Sequence, residues 1–258
     1  MRSGAPPHRR AATTTVPVAA CVAHNAQVTW LLDDDALESS AVVANCAMNR
    51  ERSLSGSNGY GRELGLDIMA ELTDRSARSA PVRWLDLCCG SGRALAEAAR
   101  LLADRNMAGR VEIVGLDLVD HFVTGPVPPL LRLVTGSVTE WVPDGRFDLI
   151  TCVHGLHYVG DKLGALTRAA AWLAEDGLIA ANFDAHSIRR ADGAPAGRRL
   201  TAELRRQGFV YDAARRRISR HGGGEVRLSY RYLGADDRAG PNYTGQPAVD
   251  SFYEVQGN

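Results

Sequence analysis

Between residues 82 and 183, short apolar runs alternate with longer stretches of helical period. Residues 82–87, 111–117, 130–135, 147–153 and 177–183 are rich in Val, Leu, Ile, Phe and Ala. Runs of this length, bounded by turn residues, suit strands buried on both faces of a parallel sheet. Residues 92–104, 161–175 and 196–207 carry apolar positions at helical spacing. Strands alternating with helices predict a doubly wound α/β sheet. A strand pair is expected at 209–219 and 225–233, and an irregular tail at 234–258, where Gly, Pro and Asp cluster. Upstream, Asp35 and Glu38 have capping-box spacing and predict a helix over 36–52. A breaker cluster at 53–59 separates it from a second helix over 60–72, and a loop over 73–81 follows. Residues 1–27 are expected to form a flexible extension, 28–80 a helical lid, and 81–233 the α/β domain.

The chemistry concentrates at Trp84-Leu-Asp-Leu-Cys-Cys-Gly-Ser-Gly-Arg-Ala-Leu95. An apolar strand passes through Asp86 into a small-residue turn that opens a helix. Gly90 and Gly92 lack a Cβ, so a ligand can lie against the backbone. The helix aims its free N–H groups at the same spot. The second strand also ends in a carboxylate, Asp117. Two neighbouring strand ends, each with an acid, make a nucleoside site at the carboxyl edge of a parallel sheet. A dinucleotide fold would require a third glycine, and Leu95 stands in that position.

In these residues the chain resembles the class I S-adenosylmethionine-dependent methyltransferases, and the resemblance covers about 82–184. Asp86, Cys88, Gly90 and Gly92 follow the family's first motif, with Cys88 where glycine is usual. Asp117 matches its ribose-binding acid. Ser137 stands where the family often carries an aspartate that contacts adenine. The resemblance implies a mostly parallel seven-stranded sheet closed by two antiparallel strands, with the helices at 36–72 as a lid over its carboxyl edge. It implies S-adenosylmethionine as cofactor and Tyr60 as a lid hydroxyl that reaches the cofactor's carboxylate. It also places Val153-His-Gly-Leu-His-Tyr158 beside the transferred methyl. His154, His157 and Tyr158 then border the acceptor, with His157 the preferred general base, because imidazole titrates near neutrality. Proximity and desolvation without a base are the alternative. Asn45 and Asn49 on the lid and Asp184 after the fifth strand are candidates for holding substrate. A metal is not expected, since the fourth strand lacks a companion aspartate.

Composition narrows the picture. The 258 residues hold 30 basic and 30 acidic side chains, and this balance argues against a phosphate-dominated nucleic-acid binder. The (Asp/Asn/Ser)-Pro-Pro-(Tyr/Phe) and Pro-Cys signatures of nucleic-acid methylation are absent. A small-molecule acceptor is therefore expected, methylated on oxygen or nitrogen, with no membrane partner and no stated oligomer. Transfer or cyclisation of the aminocarboxypropyl group, releasing methylthioadenosine, is an alternative with the same cofactor. Binding without turnover is another. Five cysteines without zinc spacing point to reduced thiols and a cytoplasmic location. Ten arginines against three acids in 185–221 make a basic stretch, read as a solvated face or as a greeting for an anionic substrate or an RNA.

Overall fold

The computed structural model describes residues 20–24, 27–44, 51–78, 81–126 and 128–257. Strands β1 (Ala20–His24) and β2 (Gln27–Leu31) form an antiparallel hairpin. Helices α1 (Asp34–Glu38), α2 (Ala41–Ala44), α3 (Tyr60–Leu64) and α4 (Ile68–Arg78) precede the main sheet. Then come β3 (Val82–Leu87), α5 (Arg93–Asp104), β4 (Val111–Asp117), β5 (Leu131–Thr135) and β6 (Phe147–Cys152). Helix α6 (Lys162–Trp172), β7 (Leu173–Asn182), β8 (Ile188–Arg190), α7 (Gly197–Arg206), β9 (Phe209–Asp212) and β10 (Arg217–His221) follow. Strands β11 (Tyr230–Asp236) and β12 (Asp250–Val255) end the fold.

Seven strands order as β5-β4-β3-β6-β7-β10-β9. The first five run parallel, and β10 and β9 are antiparallel to their neighbours. The class expected from the sequence is therefore the observed one. The period-two side-chain alternation divides the core. Trp84, Ile113, Leu149 and Leu178 face α3, α4 and α5, whereas Leu85, Val114, Ile150 and Ile179 face α6 and α7. Both faces are covered, as a parallel sheet requires.

Several boundaries differ from the sequence reading, each for a local reason. Asp33, not Asp35, caps the first helix by accepting from the Ala36 N–H at 2.9 Å. That helix stops at Glu38, where the Ser39 hydroxyl bonds the Asp35 carbonyl. The lid helix expected over 60–72 is two helices. Gly65 takes a left-handed conformation (φ 68°) that ends the first, and Asp67 starts the second by accepting from the Ala70 N–H. The second continues through the expected loop to Arg78, fastened where Arg75 reaches Glu71 and the Asp176 carbonyl. The antiparallel pair is β9 with β10. Residues 230–236 instead pair with β12 in a separate three-stranded sheet, β11-β12-β8. The tail is thus not irregular throughout: Ser251, Phe252 and Tyr253 are buried. Residues 20–24 and 27 are strand where a flexible extension was expected, residues 28–31 are strand at the start of the expected helical lid, and residues 1–19 lie outside the described ones.

Lys162, the one lysine of the chain, is fully buried at the start of α6. Its ammonium donates to the Val249 carbonyl and the Ser251 hydroxyl, each at 2.7 Å. Tyr253 reinforces this attachment, donating to Asp161 and accepting from the Leu163 N–H, both at 3.0 Å. Burial lowers the Lys162 pKa to about 7 against the pull of Asp250, Asp184 and Asp161. Between about 7 and the ordinary lysine value, the unfolded chain then binds more protons than the folded one. Stability from this group should rise with pH across that window and be lowest below it. Lys162→Met should abolish the rise, and it should cost about 1–3 kcal/mol at neutral pH by leaving two buried acceptors without a donor. Urea unfolding of both proteins between pH 6 and pH 10 checks this, and parallel curves would refute it.

Candidate active site

The turn after β3 is built on left-handed residues: Cys88 (φ 55°), Gly90 (φ 61°) and Gly92 (φ 72°). A Cβ at Gly92 would lie 2.8 Å from a Leu133 methyl, so no larger residue fits without movement. Cys88 is the position where the sequence departs from glycine. Its side chain occupies space that a Cβ on Gly155 would need, 2.2 Å away, so glycine at 155 compensates for cysteine at 88. Asp117 fixes the turn from the adjacent strand, its Oδ2 accepting from the Gly90 N–H at 2.8 Å and its Oδ1 from Val119 at 3.3 Å.

A cleft opens over these strand ends. Cys88, Gly90, Asp117, Ser137 and Tyr158 line it, as expected from the sequence, together with Glu38 and Val43 from the first two helices. Leu116, Leu118, Val138, Val153 and Val159 supply apolar walls, and Gly136, Gly155 and Gly160 allow close backbone approach. Among the described residues that line it are two carboxylates and no cation. Acids for hydroxyls and a cationic centre, apolar walls for a flat base, and glycines for a close chain fit a sulfonium nucleoside.

Asp86 and Tyr60, expected at the cofactor, are not among the lining residues. Asp86 is fully buried, with the Tyr60 hydroxyl donating to Oδ2 at 2.7 Å and the Thr151 hydroxyl donating to Oδ1. The Trp84 indole N–H donates to Thr151 at 2.8 Å. Burial raises the Asp86 pKa to about 7, despite both hydroxyl donors. Desolvation likewise pushes the Tyr60 hydroxyl well above its usual value. The motif acid thus ties α3 to the sheet. Gly92 also lies off the lining and serves as the N-cap position of α5.

The histidines form an array that the sequence did not announce. His154 takes a left-handed conformation (φ 60°) at the end of β6. Its Nε2 lies 2.9 Å from Glu63 Oε2, and its Nδ1 lies 3.3 Å from Nε2 of His157. Glu63 comes from α3, 91 residues away in sequence, and only the tertiary fold brings it here. The hydrogen bond from His154 holds its carboxyl below the usual range. Burial, with the charges of His154 and Lys162, lowers the His157 pKa to about 3.

His157 lines a second cleft of about 370 Å³, with Asp184, Arg216, Asn242 and Tyr243. The same short turn therefore serves both clefts: Gly155 and Tyr158 line the first, His157 the second. Arg216 pairs with Asp184 and lies over the Tyr243 ring at 5.3 Å, while Arg189 pairs with Asp250 at 2.6 Å. Elsewhere in the basic stretch, Arg217 and Arg220 are also spent on internal backbone carbonyls. Asn45 and Asn49 lie outside the described residues. No group of His, Cys, Asp and Glu among the described residues is placed to hold a metal ion. No helix among them is long and apolar enough to cross a membrane.

Strand order, strand-end carboxylates and cleft define an α/β enzyme domain of the S-adenosylmethionine-dependent class. Residues 60–213 match the family model described as a methyltransferase domain, and the chain belongs to that family. Its cofactor is S-adenosylmethionine. No curated protein matches the chain. Among solved structures it is similar to S-adenosylmethionine-bound CalS10, an amino pentose methyltransferase from Micromonospora echinaspora involved in calicheamicin biosynthesis. The identity is 24%, over 47% of this chain and 52% of that one, with a TM-score of 0.33. YjhP from E. coli is 22% identical over 45% of this chain and 48% of its own, with a TM-score of 0.34. The plantazolicin methyltransferase BpumL, solved in complex with a monoazolic desmethylPZN analog and S-adenosylhomocysteine, is 15% identical over 44% of this chain and 45% of its own, with a TM-score of 0.36. The matches span about half the length of these relatives.

A carboxyl with a raised folded pKa keeps its proton longer in the folded chain. The Asp86 contribution to stability should therefore fall as pH rises from the ordinary carboxyl range to about 7. Asp86→Asn should remove that fall and leave S-adenosylhomocysteine affinity within a few-fold of wild type. Thermal unfolding across pH 4–8 and calorimetric titration check the two halves. A larger loss of affinity would show that Asp86 meets the ligand directly.

Proposed function

We propose that the protein methylates an oxygen or nitrogen of a small molecule held in the second cleft. The observation that carries this reading is a bounded, polar cleft joined to the cofactor cleft through one turn. Its volume lies in the range of small-molecule sites, ~300–1,000 Å³. Its arginines are matched by Asp184 and Asp250, so it is not an open basic groove for nucleic acid. S-adenosylmethionine, when bound, supplies an electrophilic methyl on sulfur. Asp117 would accept from its ribose, Gly90 and Cys88 would border its amino-acid portion, and Ser137 and Tyr158 would close the cleft walls around it. Asp86, Tyr60 and Gly92 keep the turn and lid in place from outside the cleft.

The proton chemistry runs through the histidines. With Glu63 ionised, His154 donates from Nε2 and accepts at Nδ1. His157 then donates from Nε2, which leaves its Nδ1 lone pair to receive a proton from the acceptor. The acceptor's proton passes to His157 Nδ1 as His157 Nε2 releases its own to His154. The charge comes to rest on His154, against the Glu63 carboxylate. His157 relays the proton and does not store it, in keeping with its low pKa. Asp184 orients the acceptor beside this pair.

Mass spectrometry after incubation with S-adenosylmethionine and a small-molecule extract should show S-adenosylhomocysteine and one methylated species. Methylthioadenosine in its place would indicate aminocarboxypropyl chemistry, and binding without either product would indicate an inert binder. Asp117→Ala should weaken cofactor binding about ten- to a hundred-fold, as for a lost charge-assisted hydrogen bond.

Glu63→Gln and His157→Asn should lower kcat by ~10²-fold or more with S-adenosylhomocysteine affinity nearly intact. Since His157 is neutral down to about pH 3, its ionisation should leave the rate level between pH 5 and pH 9. A rise through an imidazole pKa near 6.5 that His157→Asn abolishes would contradict the burial argument.

A further inference from the structure

Glu38 is the last residue of α1, and it reaches 99 residues along the chain to Ser137. The Ser137 hydroxyl donates to Glu38 Oε1 at 2.5 Å. Ser137 also accepts from the Thr139 N–H at 3.1 Å, and the Thr139 hydroxyl lies 2.7 Å away. Ser137 thus ties Glu38 to the loop after β5. Both residues line the cofactor cleft, beside Leu116, Leu118, Val138 and Val43.

This end of the cleft has a specific chemical shape. It has apolar walls, a half-buried carboxylate, and no cation among the described lining residues to neutralise it. Desolvation raises the affinity of Glu38 for a proton, and Ser137 opposes that only in part. A carboxylate can accept several hydrogen bonds, and Ser137 provides one. The complementary ligand group is a flat apolar ring bearing an N–H donor. Adenine is such a group, with two apolar faces and an exocyclic amine. Asp117, the other lining carboxylate, already accepts from Gly90 and Val119 at the end of β4.

We propose that Glu38, carried by the lid and held in place by Ser137, accepts the exocyclic amine of the cofactor's adenine. This rests on the cofactor cleft described above and adds a residue from outside the matched 60–213 segment to it. The base then contacts the lid and the sheet at once. Discrimination for adenine over a 6-oxopurine follows, because a carbonyl facing Glu38 repels it and offers no donor.

Calorimetric titration with S-adenosylhomocysteine, S-adenosylmethionine and S-inosylhomocysteine tests this on wild type, Glu38→Ala and the near-isosteric Glu38→Gln, with circular dichroism to confirm folding. Wild type should prefer S-adenosylhomocysteine over the inosine analog by about ten- to a hundred-fold. Glu38→Ala should lose about that factor for both adenine ligands and cease to discriminate. Glu38→Gln should narrow the preference, since an amide can donate to the 6-oxo group. Discrimination that survives in Glu38→Ala would overturn the proposal. A loss confined to S-adenosylmethionine would also overturn it, by placing Glu38 at the sulfonium. Failure of wild type to bind either adenine ligand would overturn the cleft assignment itself, a separate and distinguishable result.

Discussion

The bond from the Gly90 N–H to Asp117 is the constraint on which the site depends. The turn between β3 and α5 uses left-handed conformations at 88, 90 and 92, which a chain does not hold without support. A carboxylate on the neighbouring strand end supplies that support, and the parallel register of β3 and β4 delivers it. The same acid faces the cleft. Turn geometry and ligand chemistry are therefore set by one side chain. Cysteine at 88 is accommodated because residue 155 has no Cβ to compete for the space.

Polar contacts over long sequence distances fasten the lid to this edge. Tyr60 reaches Asp86, Glu63 reaches His154, and Glu38 reaches Ser137. Each takes a polar group out of water, and each satisfies it with a partner from the other side, as burial demands. The first joins α3 to β3. The second ends at the second cleft, where the proposed proton relay would run. The third lies in the cofactor cleft. Helices joined to the sheet at such different points cannot shift without disturbing the core and both clefts.

The arginines of 185–221 show how a local composition can mislead. Read as a line, ten of them form a basic patch. In space, Arg189 and Arg216 face Asp250 and Asp184, and Arg217 and Arg220 bind backbone carbonyls. Much of that charge works inside the molecule, bracing β10 and the wall of the second cleft.

Local patterns determined the sheet, the glycine turn, the acid at 117 and the cofactor class. Those features depend on residues near one another in sequence: apolar runs of strand length, small residues at a turn, a carboxylate at a strand end. The exact stops of the lid helices depended on single capping choices, Asp33 over Asp35 and Gly65 as a terminator, where neighbouring residues compete on nearly equal terms. The strand at 250–255 was hidden by the Gly- and Pro-rich segment before it, because its stability comes from β11, β8 and Lys162 and not from its own periodicity. By local pattern Glu38 is a capping-box residue, Asp86 is a cofactor-binding acid and Glu63 carries no signal. Only the packing of α1 and α3 on the sheet edge decided their partners: a hydrogen bond depends on distance in space, and the distances that matter here span 26 to 99 residues of chain.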